Sequence, residues 1–245
     1  MKPFIFLFIL IFSSNFVKAQ SFGFGCLGLV GGYGGFTYQQ YQPGLLKDYV
    51  VEFNSFKTKE LNDFGKAEGY RFGINFFRAR FSGFFITAKG FYQQLEESHD
   101  AQKFSRLGTQ DFNYELKFKS FGVGLDVGIP IYSRLLWKIV DGAVLVNTIR
   151  LTETVNNFSG TNVRKFDNEK PEIGYSVGSG FVLDILKNYV SIEGIVGYSF
   201  FQIDKMISED KTKFEDLLTT PENNKPFIKS GGFNAAVQLN IGFPL

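Results

Sequence analysis

Phe233-Asn-Ala-Ala-Val-Gln-Leu-Asn-Ile-Gly-Phe243 is the stretch whose reading decides the fold. Phe233, Ala235, Val237, Leu239, Ile241 and Phe243 alternate with Asn234, Ala236, Gln238, Asn240 and Gly242. Successive side chains of a strand point to opposite faces, so this is a ribbon with one greasy face and one small, polar face. A final strand of this kind is expected to close a sheet on itself.

The same alternation recurs upstream. Residues 22–38 read as a Gly-rich, aromatic first strand whose glycines fall on both faces and leave its inward side open. Tyr70, Phe72, Ile74 and Phe76 oppose Arg71, Gly73 and Asn75; Phe84, Ile86, Ala88, Gly90 and Tyr92 oppose Phe85, Thr87, Lys89 and Phe91. In the next and longest strand the apolar phase is even at Tyr114, Leu116 and Phe118, then odd at Phe121, Val123, Leu125, Val127 and Ile129. A change of parity within one strand predicts a β-bulge at Lys119-Ser120. Pro130 ends that strand, because proline cannot donate to a ladder. A fifth strand over 139–154 is less regular. Strands over 173–186 and 190–200 flank a two-residue turn at Lys187-Asn188.

Eight strands result, with long polar connections at 39–67, 95–111, 156–172 and 204–226 and short ones near 80–82, 130–137 and 187–188. One helical turn is expected around Lys213 to Leu218. The expected fold is all-β: an eight-stranded antiparallel transmembrane β-barrel of the outer-membrane type, with long external loops and short periplasmic turns. A soluble lipocalin-like carrier also has eight strands, but its greasy face points inward to an apolar ligand.

Aromatic residues sort by height on this scheme. Tyr38, Tyr70, Tyr92, Tyr114, Tyr175 and Tyr198 fall at the loop ends of the strands; Tyr132, Trp137, Tyr189 and Phe243 fall at the turn ends. Two belts of amphipathic rings suit two membrane–water interfaces.

Composition agrees with a β protein: 31 Phe, 11 Tyr and 27 Gly. Lys2, the apolar run from Pro3 to Phe12, and Val17-Lys18-Ala19 read as a secretory signal cleaved after Ala19. The run is shorter than the roughly 20 residues of a spanning helix. The expected organisation is therefore a signal peptide, 1–19, and a barrel domain, 20–245. Without Lys2 and Lys18, 24 basic residues balance 24 acidic ones, which gives no argument for nucleic acid. Cys26 is the single cysteine, so no internal disulfide forms. It reads as a small strand residue rather than a lipidated cysteine, since no small-residue run precedes it.

The signal ending Ala19-Gln20, the opening Phe22-Gly-Phe-Gly and the closing strand Phe233 to Phe243 together resemble the PorT-like family of small outer-membrane β-barrels. The resemblance implies an outer-membrane location and, in some members, a role in protein secretion. It brings no catalytic residues.

The inward faces carry Arg71, Lys89, Lys117 and Lys119 against Glu115, Asp126, Asp184 and Glu193. In a barrel too narrow for a channel these charges are expected to pair as a polar core, with Phe85, Phe91 and Phe201 adding bulk. A small-solute pore is the alternative. Ser98-His99-Asp100 holds the one histidine, but a catalytic set converges from separate positions, so it reads as a solvated loop. Glu96, Glu97 and Asp100 lack the spacing of a calcium loop. Asn157-Phe158-Ser159 is read as a chance sequon, and the N-terminal glycines lack the Gly-Lys-Ser/Thr ending of a phosphate loop. No catalytic, cofactor or metal residues are expected. The expected partners are outer-membrane lipid and an envelope or secretion-complex protein, the latter through the external loops.

Overall fold

Ten strands make up most of the described residues. A computed structural model describes residues 31–55, 59–81, 83–105, 108–186, 189–219 and 225–242, so the signal segment, Cys26, the Lys187-Asn188 turn and Phe243 lie outside the described residues. The strands are β1 (Gly31–Pro43), β2 (Lys66–Arg80), β3 (Phe85–Ser105), β4 (Gly108–Pro130), β5 (Leu135–Asn157), β6 (Gly160–Asn168), β7 (Glu172–Leu186), β8 (Val190–Phe200), β9 (Met206–Ser208) and β10 (Ile228–Gly242). Eight of them form an antiparallel ring in the order β4-β3-β2-β1-β10-β8-β7-β5, closed by pairing of β4 with β5. β10 seats between β1 and β8, with Leu239 opposite Gly34 on one side and Ile192 on the other. Closure leaves these strands no free edge, the condition for a sheet to lie in hydrocarbon.

Each strand sorts its residues by face. On β10, Val237 is 60% exposed and its neighbour Gln238 is 4% exposed. Phe121, Val123, Leu125 and Val127 of β4 face out, while Gly122, Gly124 and Asp126 face in. From Phe121 to Ile129 is eight steps of about 3.4 Å. At a tilt of ~40° those steps cover about 21 Å of height, close to the apolar band of an outer-membrane barrel. No described helix is long and apolar enough to cross a membrane; the crossing is made by strands.

Above that band the strands continue. β3 and β4 stay paired from Phe85↔Gly128 to Ser105↔Gly108, so the polar stretch 95–111 is mainly a projecting hairpin rather than a loop. Similarly, 156–172 holds β6, which extends the sheet from β5. The connection 39–67 contains an unexpected helix, α1 (Leu45–Asn54), whose Leu45, Leu46, Val50 and Phe53 are buried. The connection 204–226 carries β9 and a 3-10 turn, Phe214–Leu217, within the span expected to be helical.

The bulge expected at Lys119-Ser120 is absent: β4 pairs with β3 in unbroken register through both residues. The strand keeps its parity while its apolar residues change sides. Below Ser120 they face lipid; above it Tyr114, Leu116 and Phe118 face inward, because the outer surface there meets water. Register does shift in β2 between Asn75 and Phe77, and in β5 between Lys138 and Asp141. In both, two consecutive apolar residues, Phe76-Phe77 and Ile139-Val140, are exposed.

The interior has two layers. In the external half, Leu95, Tyr114, Leu116, Phe118, Ile149 and Leu151 from the ring pack with α1 and with Phe214 and Phe227 of the last connection. Phe214 meets Phe166 and Phe227 edge-on at 5.5 and 4.9 Å. In the membrane half, bulky side chains of β3 stand opposite glycines of β4: Phe91↔Gly122, Lys89↔Gly124 and Phe85↔Gly128. A Cβ on Gly122 would lie 2.3 Å from the Phe91 ring. This large-against-small pairing fits bulky side chains across a narrow barrel.

Candidate functional site

The bulge in β5 builds the centre of the lumen. One extra residue between Lys138 and Asp141 turns both side chains inward, although alternation alone would place them on opposite faces. Lys138 Nζ lies 2.5 Å from Asp126 Oδ2 and 3.4 Å from Asp141 Oδ2, and it also contacts Glu193. Lys89 Nζ lies 2.8 Å from Asp126 Oδ1 and pairs with Asp141. Asn240 Nδ2 donates to Glu193 Oε2 at 3.1 Å and to Ser191 Oγ at 3.2 Å; Gln238 Nε2 donates to Asn240 Oδ1 at 3.0 Å. All five ionisable members are buried. Mutual pairing is what makes charges tolerable at such depth.

The carboxylates of Asp126, Asp141 and Glu193 converge closely enough to hold a cation. Here two lysine ammonium groups occupy that role, so the group reads as an ion-pair cluster rather than a metal centre.

Lys89, Asp126 and Glu193 are thus brought together. Arg71 stands apart: its Nε and Nη2 donate to Gln93 Oε1 at 3.0 and 2.7 Å, and its guanidinium lies 4.4 Å from the Phe91 ring centre. Asp184 faces the periplasmic mouth, where it lines a cavity of about 10 Å³ with Arg78, Asn75, Tyr189 and Ser191. Three expected lumen residues are corrected. Glu115, Lys117 and Lys119 lie on the outer face, above the apolar band, because β4 keeps one parity throughout. Lys138 and Asp141 were missed; the Ile139-Val140 doublet between two charges was the available signal.

Tyr38, Tyr70, Tyr92, Tyr175 and Tyr198 lie on the outward face near the external border. They meet further rings there: Phe36–Tyr70 at 5.2 Å, Tyr92–Phe121 at 5.0 Å and Tyr198–Phe200 at 4.9 Å. Tyr132, Trp137 and Tyr189 are exposed at the turn end, and Trp137 Nε1 donates to Ser179 Oγ at 3.0 Å. Tyr114 is a correction: it is buried inside the external core, on the inward parity of β4.

Strand alternation also disposes of the Ser98-His99-Asp100 reading. Ser98 and Asp100 face out, where Asn113 Nδ2 donates to them at 3.3 and 2.9 Å. His99 is turned to the other side, its Nε2 2.9 Å from Glu97 Oε1. These residues lie on strand rather than in a loop, and they do not converge. Glu97 instead ties down the return from α1 to β2: it accepts from Lys66 N at 2.9 Å, from Gly65 N at 3.1 Å and from the Tyr41 hydroxyl.

A second buried polar group sits under α1. The hydroxyls of Tyr49 and Tyr114 are 2.8 Å apart, and both reach Glu153 Oε1, at 3.1 and 2.8 Å. Burial pushes the Tyr41, Tyr49 and Tyr114 hydroxyls up, helped by Glu97 at Tyr41 and by Glu153 at the other two. A tyrosine whose folded pKa exceeds its unfolded value of about 10 contributes stability that declines as pH rises past that value. The expected result is a melting temperature that falls above about pH 10. Tyrosinate absorbance should show these three rings silent until the cap unfolds. Ionisation of all the tyrosines in one early step would contradict the burial.

A closed ring with an apolar outward band, aromatic borders and a filled interior defines a small outer-membrane β-barrel, and the chain is a lipid-associated protein of that membrane. No family model matches the chain, and no curated protein matches it in sequence. Three solved structures are among those similar to it. Ail, the attachment invasion locus protein of Yersinia pestis, is 9% identical, with 88% of this chain and 99% of that one covered and a TM-score of 0.38. The outer membrane protease OmpT from Escherichia coli is 11% identical, over 88% and 95%, at 0.40. Neisserial surface protein A is 13% identical, over 92% and 100%, at 0.36.

Proposed function

We propose that this protein is a closed, non-enzymatic barrel that works through its external face, as a partner of another envelope or secretion component. The observation that carries the reading is the double seal of the lumen. Ion pairs fill the membrane half, and an apolar core roofed by α1 and the last connection fills the external half. A solute path would have to break both layers, and burying the broken ion pairs would be costly. The alternative, a small-solute pore, would need a path through both layers.

What remains available for contact lies outside. Phe158 at the β5–β6 tip is 97% exposed and Phe104 near the β3–β4 tip is 74% exposed. Exposed rings on projecting hairpins are typical anchors for a protein partner. Export would depend on residues 1–19 as a signal, and the PorT-like resemblance adds secretion as the process served.

Planar-bilayer recording of the purified protein tests the seal, and photo-cross-linking from positions 104 and 158 in intact cells tests the contact. The expected result is no steady single-channel step, with one recurrent protein adduct from the hairpin tips. Reproducible conductance steps would overturn the closed barrel. Adducts to lipid alone would overturn the protein-partner role.

A further inference from the structure

The outer surface of β4, β5 and β6 carries a basic cleft that no part of the sealed lumen uses. Lys117 and Lys119 of β4, Thr148, Arg150 and Thr152 of β5, and Lys165 of β6 line it, with Glu115 and Asp167, around a space of about 360 Å³. Its register is unusual: Lys117 stands directly opposite Arg150. Like charges so placed repel, and a fold would not be expected to keep them adjacent without compensation. Part of that compensation is internal. Lys117 Nζ lies 2.7 Å from Glu115 Oε2, and Arg150 donates twice to Asp167, at 2.7 and 3.0 Å. Lys119 and Lys165 are exposed and have no acidic partner among the described residues.

Height decides what could supply the missing charge. Lys119 stands two residues, about 7 Å along the strand, above Phe121 on the same face. Phe121 is exposed and packs with Tyr92 in the aromatic border. Lys119 therefore emerges where acyl chains give way to headgroups, and Lys117, Arg150 and Lys165 rise above it. On the opposite side of the ring, around β1 and β10, the border instead continues into Tyr38, Gln40 and Phe233. The cluster of positive charge sits on the outer surface just above the apolar band and is continuous with the surface the acyl chains cover, whereas across the ring the exposed lysines Lys66 and Lys229 stand farther out, at the external ends of β2 and β10.

We infer that this cleft binds the phosphorylated headgroup of a lipid of the outer leaflet, with Lys119 and Lys165 taking the phosphate charge and Arg150 and Thr148 donating hydrogen bonds beside them. Lysine serves such a site as a point charge, and arginine adds directional donors. The inference depends on the membrane location and is independent of the protein partner and of the seal.

The test uses the full folded chain in a neutral detergent, with native mass spectrometry counting bound lipid. The probes are a bisphosphorylated lipid A, its dephosphorylated form, and inorganic phosphate as a competitor. The wild type is expected to retain the phosphorylated lipid selectively. Lys119→Gln with Lys165→Gln should weaken retention by about twenty-five-fold, taking roughly fivefold for each lysine near an anionic surface. Lys229→Gln, at the external end of β10 across the ring, should leave it unchanged. Gel mobility with and without boiling confirms that each variant folds. Equal retention of both lipid forms, unchanged retention in the double variant, or displacement by millimolar inorganic phosphate would each overturn the headgroup assignment.

Discussion

Lys138→Met is expected to destabilise the barrel by about 3–5 kcal/mol, the scale seen when one partner of a buried ion pair is removed. Among the described residues, Lys138 is the only group that touches Asp126, Asp141 and Glu193 together. Without it, Lys89 is left to balance three buried carboxylates, and it reaches only Asp126 and Asp141. Glu193 would then keep Asn240 as its remaining donor. Denaturant titration of the detergent-folded protein, followed by the boiled-against-unboiled gel shift, reads the loss. Adding Glu193→Gln to the Lys138→Met variant should restore part of it, because the penalty lies in the unpaired charge rather than in lost packing. A Lys138→Met protein as stable as wild type would show that the cluster carries no structural weight.

That cluster marks the boundary of what the residues alone disclosed. The eight ring strands and their alternating connections were legible because a half-buried strand has a period of two, and lipid on one side makes the period strong. Even the helical turn near Phe214 could be placed. Three physical facts hid the rest. Tall strands meet two solvents, so in β4 the apolar residues cross from lumen to lipid at Ser120 with no change in backbone parity. Read as parity, that crossing put a bulge where there is none, and it turned Glu115, Lys117, Lys119 and Tyr114 to the wrong faces.

Real bulges were hidden for the opposite reason. In β5 the inserted residue sits within Ile139-Val140, where two apolar side chains both face lipid and the pattern merely looks irregular. The consequence is larger than the signal, since that residue decides whether Lys138 and Asp141 share the lumen. α1 was equally hard to see. Its buried Leu45, Leu46, Val50 and Phe53 cover barely three turns, and they fold onto a core that only the projecting strands create. Tertiary packing, more than propensity, accounts for so short a helix.

The alternation itself yields the second large effect, on β10. Leu239→Arg is expected to impair assembly strongly, because Leu239 is exposed on the lipid face. Arginine there costs about 2–4 kcal/mol near the bilayer midplane, falling towards the interfaces. Gln238→Arg, one residue away, should cost much less. Gln238 points into the lumen directly opposite Glu193, and its Oε1 is buried without a hydrogen-bond partner. A guanidinium at 238 would meet a carboxylate in a cluster that has three acids to two lysines. Its extra volume opposes this gain, since the lumen is packed, at about 1–3 kcal/mol for overpacking. The two substitutions introduce the same charge at adjacent positions, so the difference in folded yield isolates which way each side chain faces. Refolding into vesicles and gel mobility would measure it. A higher folded yield for Leu239→Arg than for Gln238→Arg would mean that β10 is turned the other way, with its greasy face around the lumen.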